Sequence, residues 1–353
     1  MMSTQVNRRN FIRKLSAGML GTGIAMNAFA FTSRESNLVI PKKKNIYTGP
    51  GSNVALVKGA NRKTNMYDAL KLIEEDVKRS IGNKQVVIKP NFTRVKKEEW
   101  LAATHVDNIE ALLEFLKPFY NKKVIIAEGC GDAQPISEPV KNFGYDKLKD
   151  KFDVEFYDLS KDDYSVVNLM DSNIQPMPIL TSNLLMCPDT YVISAAVMKT
   201  HNLAVVTLGL KNILLAAPMN FGNGRSDRSK LHKDPVSKDP RYFNYNMFMM
   251  AQHAYPDLVL IDGFVGMEGK GPLFGDPIEV GVAIASTDCI AADRVGTEVM
   301  GHDFNDVGHL VHCANAGMGE GDLTKINVLG DPVSICRKNF RKTDDWEKIR
   351  HWS

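Results

Sequence analysis

The chain has 353 residues, of which 24% are charged, 44% hydrophobic and 8% aromatic, a profile that excludes disordered, fibrous and membrane-embedded proteins. Lys and Arg number 44 against 41 Asp and Glu, yet Arg8, Arg9, Arg13 and Lys14 lie in the first thirty residues, which hold no acid; without them 40 cations (44 less 4) face 41 anions. A near-neutral body lacks the basic face that displaces counterions from phosphates, so no nucleic-acid partner is expected, and at this length a core closes without a structural metal.

At the N-terminus, Asn7-Arg8-Arg9-Asn10-Phe11-Ile12-Arg13-Lys14 precedes an uncharged, Gly- and Ala-rich run over 15–31. This resembles a twin-arginine (Tat) export signal, and Ala28-Phe29-Ala30 has the small-x-small form of a cleavage site. Residues 1–30 are therefore expected to be a signal peptide that engages the Tat export machinery and leaves the mature protein periplasmic or otherwise exported; an ordinary Sec signal or an uncleaved anchor is the alternative. The run is shorter than the roughly 20 apolar residues of a membrane span, so no stable span is expected. Tat export commonly serves proteins that fold around a cofactor before transport, but the route names none. Cys130, Cys187, Cys289, Cys313 and Cys336 are scattered without a C-x-x-C pair, which argues against a cysteine-ligated iron–sulfur cluster.

Residues 31–52 are polar and basic and read as a linker. Beyond it, Met66, Leu70, Ile73, Val77 and Ile81 recur at helical spacing and stop at Gly82. Residues 85–89 form a short apolar strand before Pro90, Thr104 and Asp107 suggest a capping box for the next helix, and 123–128 is a strand ending at Gly129. A helix at 140–149 and a strand at 154–157 follow. The second half repeats the alternation, with strands at 190–197, 258–262 and 280–285 and helices at 203–216 and 288–300, the last with Asp288 as its N-cap. Val- and Ile-rich strands separated by helix-length segments predict an α/β fold, a layered sandwich of mostly parallel sheets flanked by helices in two lobes, 53–178 and 179–353. The polar, Gly- and Pro-marked stretch 220–245 reads as a lid or a surface insertion.

Lys89-Pro90-Asn91 sits at the carboxyl end of one predicted strand and Lys199-Thr200-His201 follows another, and strand carboxyl ends border the ligand crevice of open α/β sheets. Lys211-Asn212 sits in an apolar run, where Lys211 must either meet an anion or lie on the helix's wet edge. Asp262-Gly263 ends another strand, and Glu268-Gly269-Lys270-Gly271 follows in a loop whose glycines let backbone approach a ligand, although a tight turn without ligand has the same composition. His201, Lys199, Asp262 and Glu268 are the candidate proton-transfer groups, the two carboxylates also suiting a divalent metal. Lys89, Asn91, Lys211, Asn212, Gly269, Lys270 and Gly271 are the candidate ligand-binding residues. The G-x-S-x-G, H-E-x-x-H, Walker and Rossmann patterns are absent.

Val87-Ile88-Lys89-Pro90-Asn91, Ala196-Val197-Met198-Lys199-Thr200-His201, Gly209-Leu210-Lys211-Asn212, Ile261-Asp262-Gly263 and Gly269-Lys270-Gly271-Pro272 occur in an order that resembles domain-of-unknown-function family 362. Ala285-Ser286-Thr287-Asp288-Cys289-Ile290-Ala291-Ala292-Asp293 and Met300-Gly301 extend the resemblance over 53–330. The resemblance supports the fold and the residue set. Members often carry a ferredoxin-like iron–sulfur segment, from which this chain departs. A more distant likeness of fold is to two-lobed α/β proteins of the nickel-dependent lactate racemase type, whose cofactor and residues are not carried over.

The expected function is an exported enzyme acting on a small anionic molecule, a carboxylate or phosphate, by acid–base or metal-assisted chemistry. A non-catalytic periplasmic binding protein for such an anion is the first rival and an electron-transfer protein the second.

Overall fold

Short β-branched runs assemble one nine-stranded mixed sheet in the computed structural model of the chain, which describes residues 51–222, 225–233 and 239–353. The expected signal at 1–30, and all of the 31–52 linker before residue 51, lie outside the described residues. In chain order the strands are β1 (Ser52–Lys58), β2 (Gln85–Lys89), β3 (Val124–Glu128), β4 (Val154–Asp158), β5 (Tyr164–Met170), β6 (Pro176–Ser182), β7 (Thr190–His201), β8 (Val205–Thr207), β9 (Asn220–Gly222), β10 (Arg225–Ser226), β11 (Leu258–Glu268), β12 (Asp276–Ser286) and β13 (Ile326–Gly330). The large sheet runs β13-β1-β12-β11-β7-β2-β3-β4, with β8 added to β7, so strands from both 53–178 and 179–353 share it. β11, β7, β2, β3 and β4 are mutually parallel, whereas β12 is antiparallel to both β1 and β11. The β5–β6 and β9–β10 hairpins stand apart as two-stranded pieces.

Alternation along the strands divides the core into two layers. Val86 and Ile88 pack with Leu70 and Leu112 on one face, while Val87 packs with Ile213 and Ile290 on the other. All 12 residues of β7 are buried, as a central strand covered on both faces requires. Each of these aliphatic side chains contributes about 1.5–3 kcal/mol by leaving water.

Several expected helices are divided or shortened. The continuous helix over 66–81 is two, Arg62–Leu72 and Glu74–Ile81, broken at Ile73 with φ −116° and ψ 19°. The helix after Thr104 starts at Val106 with His105 as its N-cap, since the Thr104 hydroxyl is occupied with Asn91 N and Ala195 O. The expected helix over 203–216 opens as strand β8, because Val205, Val206 and Thr207 pair with His201, Thr200 and Lys199; helix Gly209–Leu214 begins only afterwards. Both carboxylate oxygens of Asp293 accept hydrogen bonds at that helix's N-terminus, from Gly209 N (2.7 Å) and Leu210 N (2.9 Å). Burial pushes the Asp293 carboxyl up to about 7, against the opposing pull of those two bonds. Gly209 itself is required by close packing: a Cβ there would stand 2.2 Å from Val259 Cγ1.

Candidate functional site

Because β2, β3 and β7 run parallel, Lys89, Glu128 and Lys199-Thr200-His201 emerge at one end of the sheet. Lys89, Glu128, Lys199 and His201 border a cavity of about 730 Å³. Asn91, Lys211, Asn212, Lys270 and Gly271 also line it, so eight of the sequence-derived candidates share this hollow. Gly269 is not among the lining residues, but its carbonyl accepts from Thr200 Oγ1 at 3.1 Å, which fastens the loop to the end of β7. A Cβ on Gly271 would lie 2.1 Å from Thr200 O, so only glycine allows the loop this close.

The cavity floor is built from buried cations. Lys89 Nζ stands 3.0 Å from Glu128 Oε2 and donates to Asn212 Oδ1 at 2.6 Å. Asn212 Nδ2 donates in turn to Lys89 O and Ser194 Oγ, while Glu128 accepts from Phe92 N and Gly129 N. Lys199 Nζ donates to Ala102 O at 3.0 Å. Among the described residues, the Lys211 amine meets neither a hydrogen-bond acceptor nor a carboxylate, although only 5% of the residue is exposed. Lys211 therefore lies in the buried cavity wall and not on a wet helix edge. Arg228, from helix Asp227–Lys233, lines the same cavity, its Nη2 3.4 Å from where a Gly129 side chain would begin.

Burial lowers the pKa of all three lysines. For Lys89 the Glu128 carboxylate opposes that effect. Lys199 is brought down to about 7 by desolvation and then by repulsion from Lys89. Lys211 falls well below the ordinary lysine range through desolvation and the positive charges of Lys199, Lys89 and Arg228. The site thus gathers basic groups whose charge burial and mutual repulsion disfavour, Lys211 most strongly. His201, 3% exposed, accepts from Leu203 N through Nδ1 at 3.0 Å, which orients its ring in the cavity wall.

Two expected proton-transfer groups lie outside the cavity lining. Asp262 is buried against Arg62 Nε (3.4 Å) and accepts from Asn108 Nδ2 (2.6 Å). Glu268 accepts from Arg341 N at 2.9 Å. They stand six positions apart along β11, roughly 20 Å of extended chain, too far to share one cation. Among the described residues, no group of three or more His, Cys, Asp or Glu side chains is arranged to hold a metal ion. All five cysteines are free thiols.

Sequence reasoning missed Glu128 and Arg228 as site residues. Glu128 carried a usable signal, as the last residue of a strand parallel to the one that ends in Lys89. Arg228 lay in the 220–245 stretch, whose Asn220, Ser226 and Ser229 also line the cavity wall.

The profile of the family described as Domain of unknown function (DUF362) matches residues 86–298. A "Thylakoid-associated protein" of Synechocystis sp. is 33% identical over 109 residues, which are 31% of this chain and 32% of that protein's own length. A crystal structure of a Thermotoga maritima protein superposes with a TM-score of 0.39 and 14% identity, covering 64% of this chain and 55% of the other. Among the described residues, no helix is long and apolar enough to cross a membrane.

Proposed function

The chain belongs to the family described as Domain of unknown function (DUF362), whose matched region contains Lys89, Lys199 and Lys211, and we propose that it is an enzyme that binds a small anionic metabolite in the cavity they line. The observation that carries this reading is the gathering of basic groups: Lys89, Lys199, Lys211 and Arg228 line one cavity, whose carboxylates among the described residues are Glu128, paired with Lys89 at 3.0 Å, and Asp132. Such a cluster resists its own formation, and a bound carboxylate or phosphate relieves it. Lys199 and His201 are the groups placed to move a proton to or from a ligand there.

A second reading, a non-catalytic anion-binding protein, is favoured by the absence of Asp262 and Glu268 from the cavity lining, which leaves Glu128, already paired, and Asp132 as its carboxylates. A thermal-shift panel of organic acids and phosphates on the wild type, Lys199→Ala and His201→Ala separates the two. Stabilisation by an anion that the wild type turns over and His201→Ala does not supports the enzyme. Stabilisation without turnover by any ligand supports the binding protein, and no stabilisation by any anion removes both.

Residues 1–30 are read as an export signal, which places this chemistry outside the cytoplasm. Replacing Arg8 and Arg9 with lysine should retain the precursor inside the cell; unimpaired export of that variant would rule out the twin-arginine route.

A further inference from the structure

We propose that Lys211 is a nucleophilic amine that captures the carbonyl carbon of a short oxo acid as an imine, the acid's carboxylate being held by the cations around it. The inference rests on the anion-binding reading above and names its substrate class.

The geometry sets Lys211 apart from its neighbours. Lys89 is engaged with Glu128 and Asn212, and Lys199 with a backbone carbonyl. Lys211 lines the same cavity with no such engagement among the described residues, on a helix whose N-terminus is anchored by Asp293. An amine has a nucleophilic lone pair only when unprotonated, and the three cations that disfavour charge on Lys211 are the groups that attract an anion. Recognition and activation therefore have a common source. A plain anion clamp would gain from a charged Lys211, whereas burial and the neighbouring cations disfavour that charge.

The step balances without an outside oxidant or reductant. The amine nitrogen bonds to the carbonyl carbon, giving a carbinolamine. The former carbonyl oxygen then departs as water with the two amine protons, leaving a carbon–nitrogen double bond. His201, in the same cavity wall, is placed to relay those protons. Leu203, Leu273 and Phe274 of the lining offer apolar contact for a substrate tail, so phenylpyruvate and pyruvate form the test pair.

The full chain, with and without each acid, is treated with cyanoborohydride, then digested and mapped by mass spectrometry. A gain equal to the mass of the acid less one oxygen atom on the peptide containing Lys211 is the expected result. Lys211→Arg, which supplies a permanent positive charge but no amine able to form an imine, should retain acid-dependent thermal stabilisation and lose the adduct. Peptide mapping on the wild type assigns the residue even if that variant fails to fold. An adduct confined to Lys199 or Lys89 overturns the assignment. Stabilisation by both acids without any adduct overturns imine formation while leaving the anion-binding reading standing. No stabilisation and no adduct with these or any other anion removes both.

Discussion

Lys89 and Glu128, at the ends of two adjacent parallel strands, face each other at 3.0 Å in the cavity floor, each about 95% or more withdrawn from solvent. Arg228 and Lys199 add positive charge around this pair. The two partners are therefore unequal: removing the anion takes the carboxylate partner from Lys89 and leaves the neighbouring cations to repel it, while removing Lys89 leaves Glu128 close to other positive charge.

Glu128→Gln should accordingly destabilise the fold by about 3–5 kcal/mol, the cost of breaking a buried pair from one side, and Lys89→Met by less. Urea unfolding of both variants measures the order. The opposite ranking would mean that Arg228 and Lys199 do not compensate for Lys89.

Sulfate keeps its charge across neutral pH, so its binding reports on the protein's own protons. With Lys199 near 7 instead of the ordinary 10.5, the folded state binds fewer protons than the unfolded between those values. The contribution of this lysine to stability thus rises with pH across that window, and below about 7 its full charging penalty is present. An anion reverses the preference by favouring the charged form. Sulfate affinity should fall above pH 7, approaching about tenfold per pH unit if one proton accompanies each anion. Lys199→Ala should flatten the profile. Calorimetry in buffers of different ionisation enthalpy checks for the proton taken up; a wild-type affinity independent of pH would contradict the lowered value.

Asp262→Ala separates fold from function. The residue supports Arg62 and Asn108 away from the cavity lining, so its loss should cost about 3 kcal/mol of stability, at the lower end for a broken buried pair because Arg62 retains some contact with water. Anion-induced stabilisation should keep its wild-type size. A selective loss of that stabilisation in a folded variant would bring Asp262 back into the chemistry.

Lys270 lines the cavity but is largely exposed, 3.7 Å from Asp344. Lys270→Ala should change stability by less than about 1 kcal/mol, as for a surface pair. Its effect should fall on the association rate of anions and on the salt dependence of that rate, which stopped-flow measurements at two ionic strengths resolve. Gly271→Ala, in contrast, should destabilise the fold by about 1–3 kcal/mol or more, since its Cβ would meet Thr200 O at 2.1 Å.

Much of the cavity was legible because strand ends are legible. Val- and Ile-rich runs marked the end of β2 at Lys89 but stopped β7 at 197, four residues short of its end at His201, and parallel pairing carried Lys89, Asn91, Lys199 and His201 to one edge. Lys211 was recognisable as an anomaly in an apolar run, but a helix edge and a cavity wall look alike until β8 and Asp293 orient the helix. Asp262 misled for a related reason: it also stands on a sheet strand, yet side chains alternate between faces, and neighbours 154 and 200 residues away, Asn108 and Arg62, decide which face it serves. The antiparallel placement of β12 was likewise hidden, since a β-branched run does not declare its direction.

The sheet order has a practical bearing on how the chain is cut. β1 and β13 both lie beyond the 86–298 region matched by the family profile, yet β1 supplies the ladder partner on the outer side of β12. A recombinant fragment trimmed to the matched bounds would bare the rim of β12 from Val282 to Ala285, four consecutive apolar residues with unsatisfied amides and carbonyls. Such a fragment is primed to stack on copies of itself, so insolubility on expression would report a missing neighbour and not an unfoldable domain.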